Sequence, residues 1–143
     1  MNKTLAILIA IALATPGVAY TRAVPKRTVK AACTVTDGDT IRCGKEHIRI
    51  SGIDSPEMPG HCAKTRVCAP GDPFAAKANM ALFLTSGPIT IRRVVKKDKY
   101  GRTVGVVYAN GVNVSCAQLA GGFAIFKPTW DTGGYIAREC HQK

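Results

Sequence analysis

The chain is 143 residues long, carries six cysteines and has a formal net charge of +11, one unit of which is Lys3 near the N-terminus. That length supports one modest hydrophobic core and excludes two. So large a positive charge on so small a domain attracts polyanions: nucleic acid first, anionic membrane and acidic polysaccharide as rivals, with plain solubility by self-repulsion as the bland alternative.

Residues 1–19 read as a signal peptide. Lys3 supplies the positive start, Leu5 to Ala14 is an unbroken apolar run, and Pro16-Gly17-Val18-Ala19 offers small residues for cleavage. The run is too short to span a bilayer, so a mature protein starting near Tyr20 is expected to be exported, periplasmic or extracellular, with no membrane contact. All six cysteines (Cys33, Cys43, Cys62, Cys68, Cys116, Cys140) lie in the mature part, and an even number suits an oxidising compartment. Local spacing favours Cys33 with Cys43 about Gly38 and Cys62 with Cys68 across a loop, which leaves Cys116 to join Cys140. Zinc is the weaker reading, because no tight Cys-x-x-Cys pair is present and histidines are few.

Residues 20–27 form a loose basic arm containing Pro25. The domain proper, residues 28–143, opens with β-branched residues from Thr28 to Thr36 as a first strand. Asp37-Gly38 turns it into a second strand, Thr40 to Cys43, and Gly44-Lys45 turns that into a third, Glu46 to Ser51. Ile48 and Ile50 share one face of the third strand, so period-two alternation puts Arg49 on the other. Met58 to Gly71, rich in Pro, Gly, Cys and Lys, is a long loop. Asp72 as N-cap and Pro73 at the first helical position open a helix with Phe74, Ala78, Ala81 and Leu82 along one side, and Gly87-Pro88 stops it. Ile89 to Val95 and Thr103 to Ala109 are two more strands joined by a turn from Lys96 to Gly101, and Asn110-Gly111 is a tight-turn signal. Ser115 to Ala120 is a short helix closed by Gly121-Gly122, and Tyr135 to Cys140 adds a final turn or two. Strands this short bury their apolar faces most economically by closing on themselves. The expected fold is mainly β with α, a five-stranded OB-fold barrel with two to three helices.

Three acids and two arginines stand out against this frame. Hydrolysis of a phosphodiester needs an activated water, a cation to neutralise phosphate charge, and donors that grip the non-bridging oxygens. Asp39 and Asp54 offer hard oxygen ligands to one Ca²⁺ or Mg²⁺, with waters and a main-chain carbonyl completing the shell. Glu57, three residues beyond Asp54 on a Pro-stiffened turn, suits a general base. Arg49 and Arg102 each present a planar fork to phosphate oxygens, which lysine does not reproduce. Taken singly, each has a duller explanation as hairpin chemistry, an ordinary turn or an ion-pair partner.

Together, Val35-Thr36-Asp37-Gly38-Asp39-Thr40, the stretch Arg49 to Glu57, and Asp98-Lys99-Tyr100-Gly101-Arg102 resemble the staphylococcal nuclease, or thermonuclease-like, family. The resemblance runs from about residue 28 to about residue 124. It implies a secreted OB-fold nuclease that uses Ca²⁺, with Mg²⁺ the less suitable ion, to cut DNA and RNA and leave 3′-phosphate ends. By position it makes Asp39 and Asp54 the calcium carboxylates and Ser55 a backbone-carbonyl ligand, where the family carries threonine. Arg49, Glu57 and Arg102 become the catalytic trio, and Lys99 and Tyr100 nucleotide contacts. The sequence departs from the pattern in three places: two cysteines in the loop after Glu57, a shortened C-terminal helix, and no clear counterpart for the base-stacking tyrosines. Phe126, Trp130 or Tyr135 is the available substitute.

The alternative from another class is a non-catalytic OB-fold protein that holds single-stranded nucleic acid in a basic groove with aromatic platforms. Clustered carboxylates argue against it, because they repel the strand such a module must hold. In either reading the partner is DNA or RNA, preferably single-stranded or unstacked, and the protein is expected to be a monomer.

Overall fold

The computed structural model describes residues 25–29 and 32–140; the expected signal peptide and most of the arm lie outside them. Nine short strands and three helices follow in the order β1 (Arg27–Thr28), β2 (Cys33–Asp37), β3 (Thr40–Cys43), β4 (Glu46–Ile50), β5 (Ile53–Asp54), α1 (Pro73–Thr85), β6 (Ile89–Val95), β7 (Thr103–Ala109), β8 (Val112–Asn113), α2 (Val114–Ala120), β9 (Ile125–Phe126) and α3 (Tyr135–Glu139), with a 3-10 turn at Pro128–Trp130. The arm expected to stay loose to residue 27 ends earlier, since Arg27 already pairs with Ile91 of β6.

The architecture is mixed α/β around one large sheet ordered β1-β6-β7-β4-β3-β2, with β8 on β7 and a separate β5–β9 pair. Among the described residues this is an open path rather than a closed ring. Its two terminal strands, β1 and β2, are separated by only residues 29–32 of the chain. The expected first strand is thus split, one end pairing β6 and the other β3.

Two pairings position the acids and arginines. β2, β3 and β4 form the antiparallel meander, with a bulge between Val35 and Asp37 that sets Asp37 opposite Thr40. β4 and β7 pair in parallel, Arg49 opposite Val104. The start of β7, and with it the Asp98–Arg102 turn, therefore lies beside β4.

Ile41, Ile48, Ile50, Ile53, Met80, Ile91 and Val107 form the main core, and Val106, Tyr108, Ile136 and Cys140 a smaller cluster. Alternate residues of β7 enter both, which is why this central strand is apolar along nearly its whole length. The second cluster is closed by a disulfide from Cys116 in α2 to Cys140 after α3. Cys33 and Cys43 pair across β2 and β3, and Cys62 and Cys68 close the long loop.

α1 packs with the opposite face from the one expected. Phe74, Ala78, Ala81 and Leu82 are not among its buried residues, whereas Ala76 and Met80 are buried and Phe83 and Leu84 pack on the core. The helix carries two apolar stripes, so periodicity alone does not choose between them. The choice is made by Gln118 of α2, fully buried, whose amide donates to the Ala76 carbonyl at 3.0 Å and to the Gly38 carbonyl at 2.7 Å. One side chain therefore ties α1 and α2 to the tip of the β2–β3 hairpin.

Candidate active site

Gly38 and Asp39 occupy that tip. A Cβ at residue 38 would lie 2.7 Å from the Ser55 Cβ and 2.8 Å from the Ala76 Cβ, so only glycine permits so close an approach. Asp39 is pressed against the strand carrying Asp54. The Ser55 N–H donates to Asp39 Oδ2 at 2.8 Å, and the Thr40 hydroxyl donates to Oδ1 at 3.1 Å. Asp54 is fixed by the β5–β9 pair, opposite Ile125, and is 1% exposed.

Arg49 reaches both acids. Its Nη2 lies 3.0 Å from Asp39 Oδ2 and 3.6 Å from Asp54 Oδ1, while Nη1 donates to the carbonyls of Asp39 and Ile50. Burial pushes the Asp39 carboxyl up to about 7; Arg49 pulls it back, the Asp37 charge adds to the rise, and the Ser55 N–H opposes it.

These groups line, or sit just behind, a cleft of about 630 Å³ whose walls include Asp39, Arg49, Glu57, Lys99, Tyr100 and Arg102. The parallel β4–β7 pairing delivers the last three. Asp98 braces that turn, accepting from the N–H groups of Tyr100 and Arg102 and from Arg102 Nε at 3.0 Å. Arg102 is thus an ion-pair partner as well as a cleft residue. Asp54 and Ser55 lie beneath the surface rather than on the wall, joined to it through Arg49 and Asp39.

Among the candidate platforms, Trp130 lines the cleft and is 40% exposed. The Ser51 hydroxyl and the Gly52 N–H both donate to its carbonyl, which holds its turn against the end of β4. Tyr135 instead stacks with Arg92 and Arg138, and Phe126 packs on the second core cluster.

Arg66 is the residue that sequence reasoning missed. It projects from the loop closed by Cys62 and Cys68, and its Nη2 lies 2.8 and 3.1 Å from the two Asp54 oxygens while its Nη1 lies 3.2 Å from Glu57 Oε1. The only signal is a lone arginine between paired cysteines shortly after Glu57. Asp37, assigned to turn chemistry, also lines the cleft and accepts the Asp39 N–H at 3.2 Å.

A mixed α/β domain with a carboxylate–guanidinium cleft beside an aromatic wall is the class that fold and site define. The chain belongs to the staphylococcal nuclease family: the family model described as "Staphylococcal nuclease homologue" matches residues 47–138, well over half of it. The matched span holds Arg49, Asp54, Glu57 and Arg102 but starts after Asp39, and both its ends fall later than the expected ones. The succinoglycan biosynthesis protein ExoI of Rhizobium meliloti (strain 1021) is 27% identical over 107 residues, covering 74% of this chain and 56% of that protein. An uncharacterized 38.1 kDa protein of Capnoides sempervirens is 31% identical over 113 residues, covering 76% of this chain and 30% of that protein. The chain thus spans about half or less of the length of these relatives.

Proposed function

We propose that this protein is an exported, Ca²⁺-dependent endonuclease that hydrolyses phosphodiester bonds of DNA and RNA and leaves 3′-phosphate ends, built on an OB-type barrel and acting as a monomer. The observation that carries the reading is the linked set of side chains: Asp39, Arg49 and Asp54 joined by ion pairs, with Glu57 and Arg102 on the same cleft wall. The family supports nucleic acid as the substrate. Three disulfides suit an oxidising compartment, and no described helix is long and apolar enough to cross a membrane.

The donor set fits a hard divalent ion. Asp39 and Asp54 provide the carboxylates and Ser55 a carbonyl; among the described residues no group of three or more His, Cys, Asp or Glu side chains could hold a metal ion by itself, so waters must complete the shell. One Arg49 nitrogen lies 3.0 Å from Asp39 Oδ2 and 3.6 Å from Asp54 Oδ1, so the two carboxylates face a common point where a cation is accommodated. When bound, Ca²⁺ supplies charge neutralisation for the phosphate. Glu57 takes the proton from the attacking water. Arg49 and Arg102 donate to the non-bridging oxygens, where charge grows most as the water adds. Lys99 and Tyr100 contact the nucleotide from the rim.

A non-catalytic strand-binding role has one observation in its favour, the pairing of Arg66 with both Asp54 and Glu57, which leaves those acids already neutralised. Digestion of denatured DNA and of RNA with Ca²⁺ or with EGTA separates the two, comparing the parent with Glu57→Gln and Arg102→Ala. Cleavage that survives metal removal and both substitutions, or its absence from the parent, removes the nuclease reading; end-labelling of the products tests the 3′-phosphate.

A further inference from the structure

A guanidinium seated on the carboxylates assigned to Ca²⁺ and to proton transfer needs its own explanation. Arg66 Nη2 bridges both oxygens of Asp54, a side chain with 1% exposure, and its Nη1 meets Glu57. Calcium takes carboxylate oxygens at about 2.3–2.6 Å. It cannot take Asp54 through the face that the guanidinium spans, and with Arg49 at 3.6 Å and Arg66 at 2.8 Å already against Asp54 Oδ1, a divalent ion would crowd a third cationic centre onto one buried carboxylate. Arg66 and the metal are therefore alternatives at Asp54.

The way Arg66 is carried suits an exchangeable group. Residues 61–67 are all exposed, and the Arg66 side chain itself is 37% exposed, so it reaches in from the rim. The loop's shape comes from the Cys62–Cys68 bridge and the Arg66 N–H to Ala63 carbonyl bond, not from burial in the core. Swinging the side chain outward gives up the approach to the Trp130 ring, 5.9 Å from its centroid. It breaks two ion pairs that a divalent cation replaces.

We propose that Arg66 is an internal counter-ion that caps Asp54 and Glu57 in the cation-free protein and is displaced when a divalent cation binds, an autoinhibitory latch borne on a disulfide-closed loop. The proposal rests on the calcium reading. With Arg66 seated, Glu57 is tied to a cation and Asp54 is committed, so an arriving ion must displace the guanidinium to bind.

Trp130, the single tryptophan of the chain, lies beside the exchange, with Arg49 5.3 Å and Arg66 5.9 Å from its ring centroid, so calorimetry measures the binding and Trp130 emission the rearrangement around it. Ca²⁺ is titrated into the oxidised mature protein, followed by calorimetry and by Trp130 emission, for the parent, Arg66→Gln, Arg66→Lys and Lys64→Gln. Lys64→Gln removes one charge from the same exposed loop and controls for bulk electrostatics. Arg66→Gln is expected to bind Ca²⁺ at least tenfold more tightly than Lys64→Gln, with Arg66→Lys between. The metal-free emission of Arg66→Gln should already resemble that of the calcium-loaded parent. Affinity in Arg66→Gln equal to or below that of Lys64→Gln overturns the latch while leaving the nuclease reading intact; no calcium binding by any of the four proteins removes both. Thermal unfolding of each variant identifies one that has failed to fold, in which case Arg66→Lys decides.

Discussion

Arg49 Nη2 and Asp39 Oδ2 lie 3.0 Å apart, ten residues apart in sequence, Arg49 on β4 and Asp39 at the tip of the β2–β3 hairpin, with both side chains largely shielded from water. Removing one partner of such a pair strands the other charge. Arg49→Ala is therefore expected to cost about 3 kcal/mol at pH 8, and clearly less at pH 5, where Asp39 takes up a proton instead. Urea denaturation at the two values measures it. An equal loss at both would mean that Asp39 is not the charge Arg49 serves.

The Asp39 carboxyl, raised by burial to about 7, sets a pH dependence of known sign. Its folded pKa lies above its unfolded value of 3.8, so the folded state binds the extra proton between the two. Its contribution is fully present below pH 3.8 and is lost as pH rises towards 7, with a slope of at most about 1.4 kcal/mol per unit. Glu46 acts in the opposite sense: its hydrogen bonds from Arg93 hold it down to about 2, so its contribution is present above pH 4.5 and lost as pH falls below that. In cation-free protein Asp39→Asn should flatten the stability profile between pH 4 and 7 and leave the acid limb unchanged. A profile with its slope intact would place the titrating group elsewhere.

Gly38→Ala tests the close approach at the hairpin tip. The added Cβ would sit within 2.8 Å of the Cβ atoms of both Ser55 and Ala76, neither of which has a flexible end to move aside. The expected cost is about 1–3 kcal/mol. Because the shift falls next to Asp39, calcium affinity should fall with it. Thermal denaturation and a calcium titration of the same sample show whether the two losses coincide.

Trp130 and Tyr135 are indistinguishable as stacking platforms in the sequence, yet they occupy different surroundings. Trp130→Ala is expected to weaken binding of a single-stranded oligonucleotide about tenfold to a hundredfold, the scale of one lost stacking contact. Tyr135→Ala should leave it nearly unchanged and lower stability instead. Fluorescence anisotropy with a labelled oligonucleotide, in EGTA to prevent cleavage, compares them.

Much of this molecule is readable from the chain because the signals are local. β-branched runs broken by Asp-Gly and Gly-Lys locate the meander, Asp72-Pro73 opens α1, and cysteine spacing yields the three bridges. The two-residue strands β5, β8 and β9 leave no such mark, since so short a strand has no periodicity and exists only through its partner. The packing face of α1 is misleading for a related reason: both of its stripes are apolar, and the selector, Gln118, lies thirty-eight residues from Met80.

The residues alone singled out Asp39, Arg49, Asp54, Glu57 and Arg102 as candidates, because their combination, and the family pattern it resembles, outweighs the duller structural use that each has taken singly. Tertiary structure alone decided which charges meet. The parallel β4–β7 pair brings Arg102 alongside Arg49, and a bridged loop returns Arg66 onto Asp54 and Glu57. Coulomb interactions depend on distance through space and on burial, and neither is written in the spacing of residues along a chain.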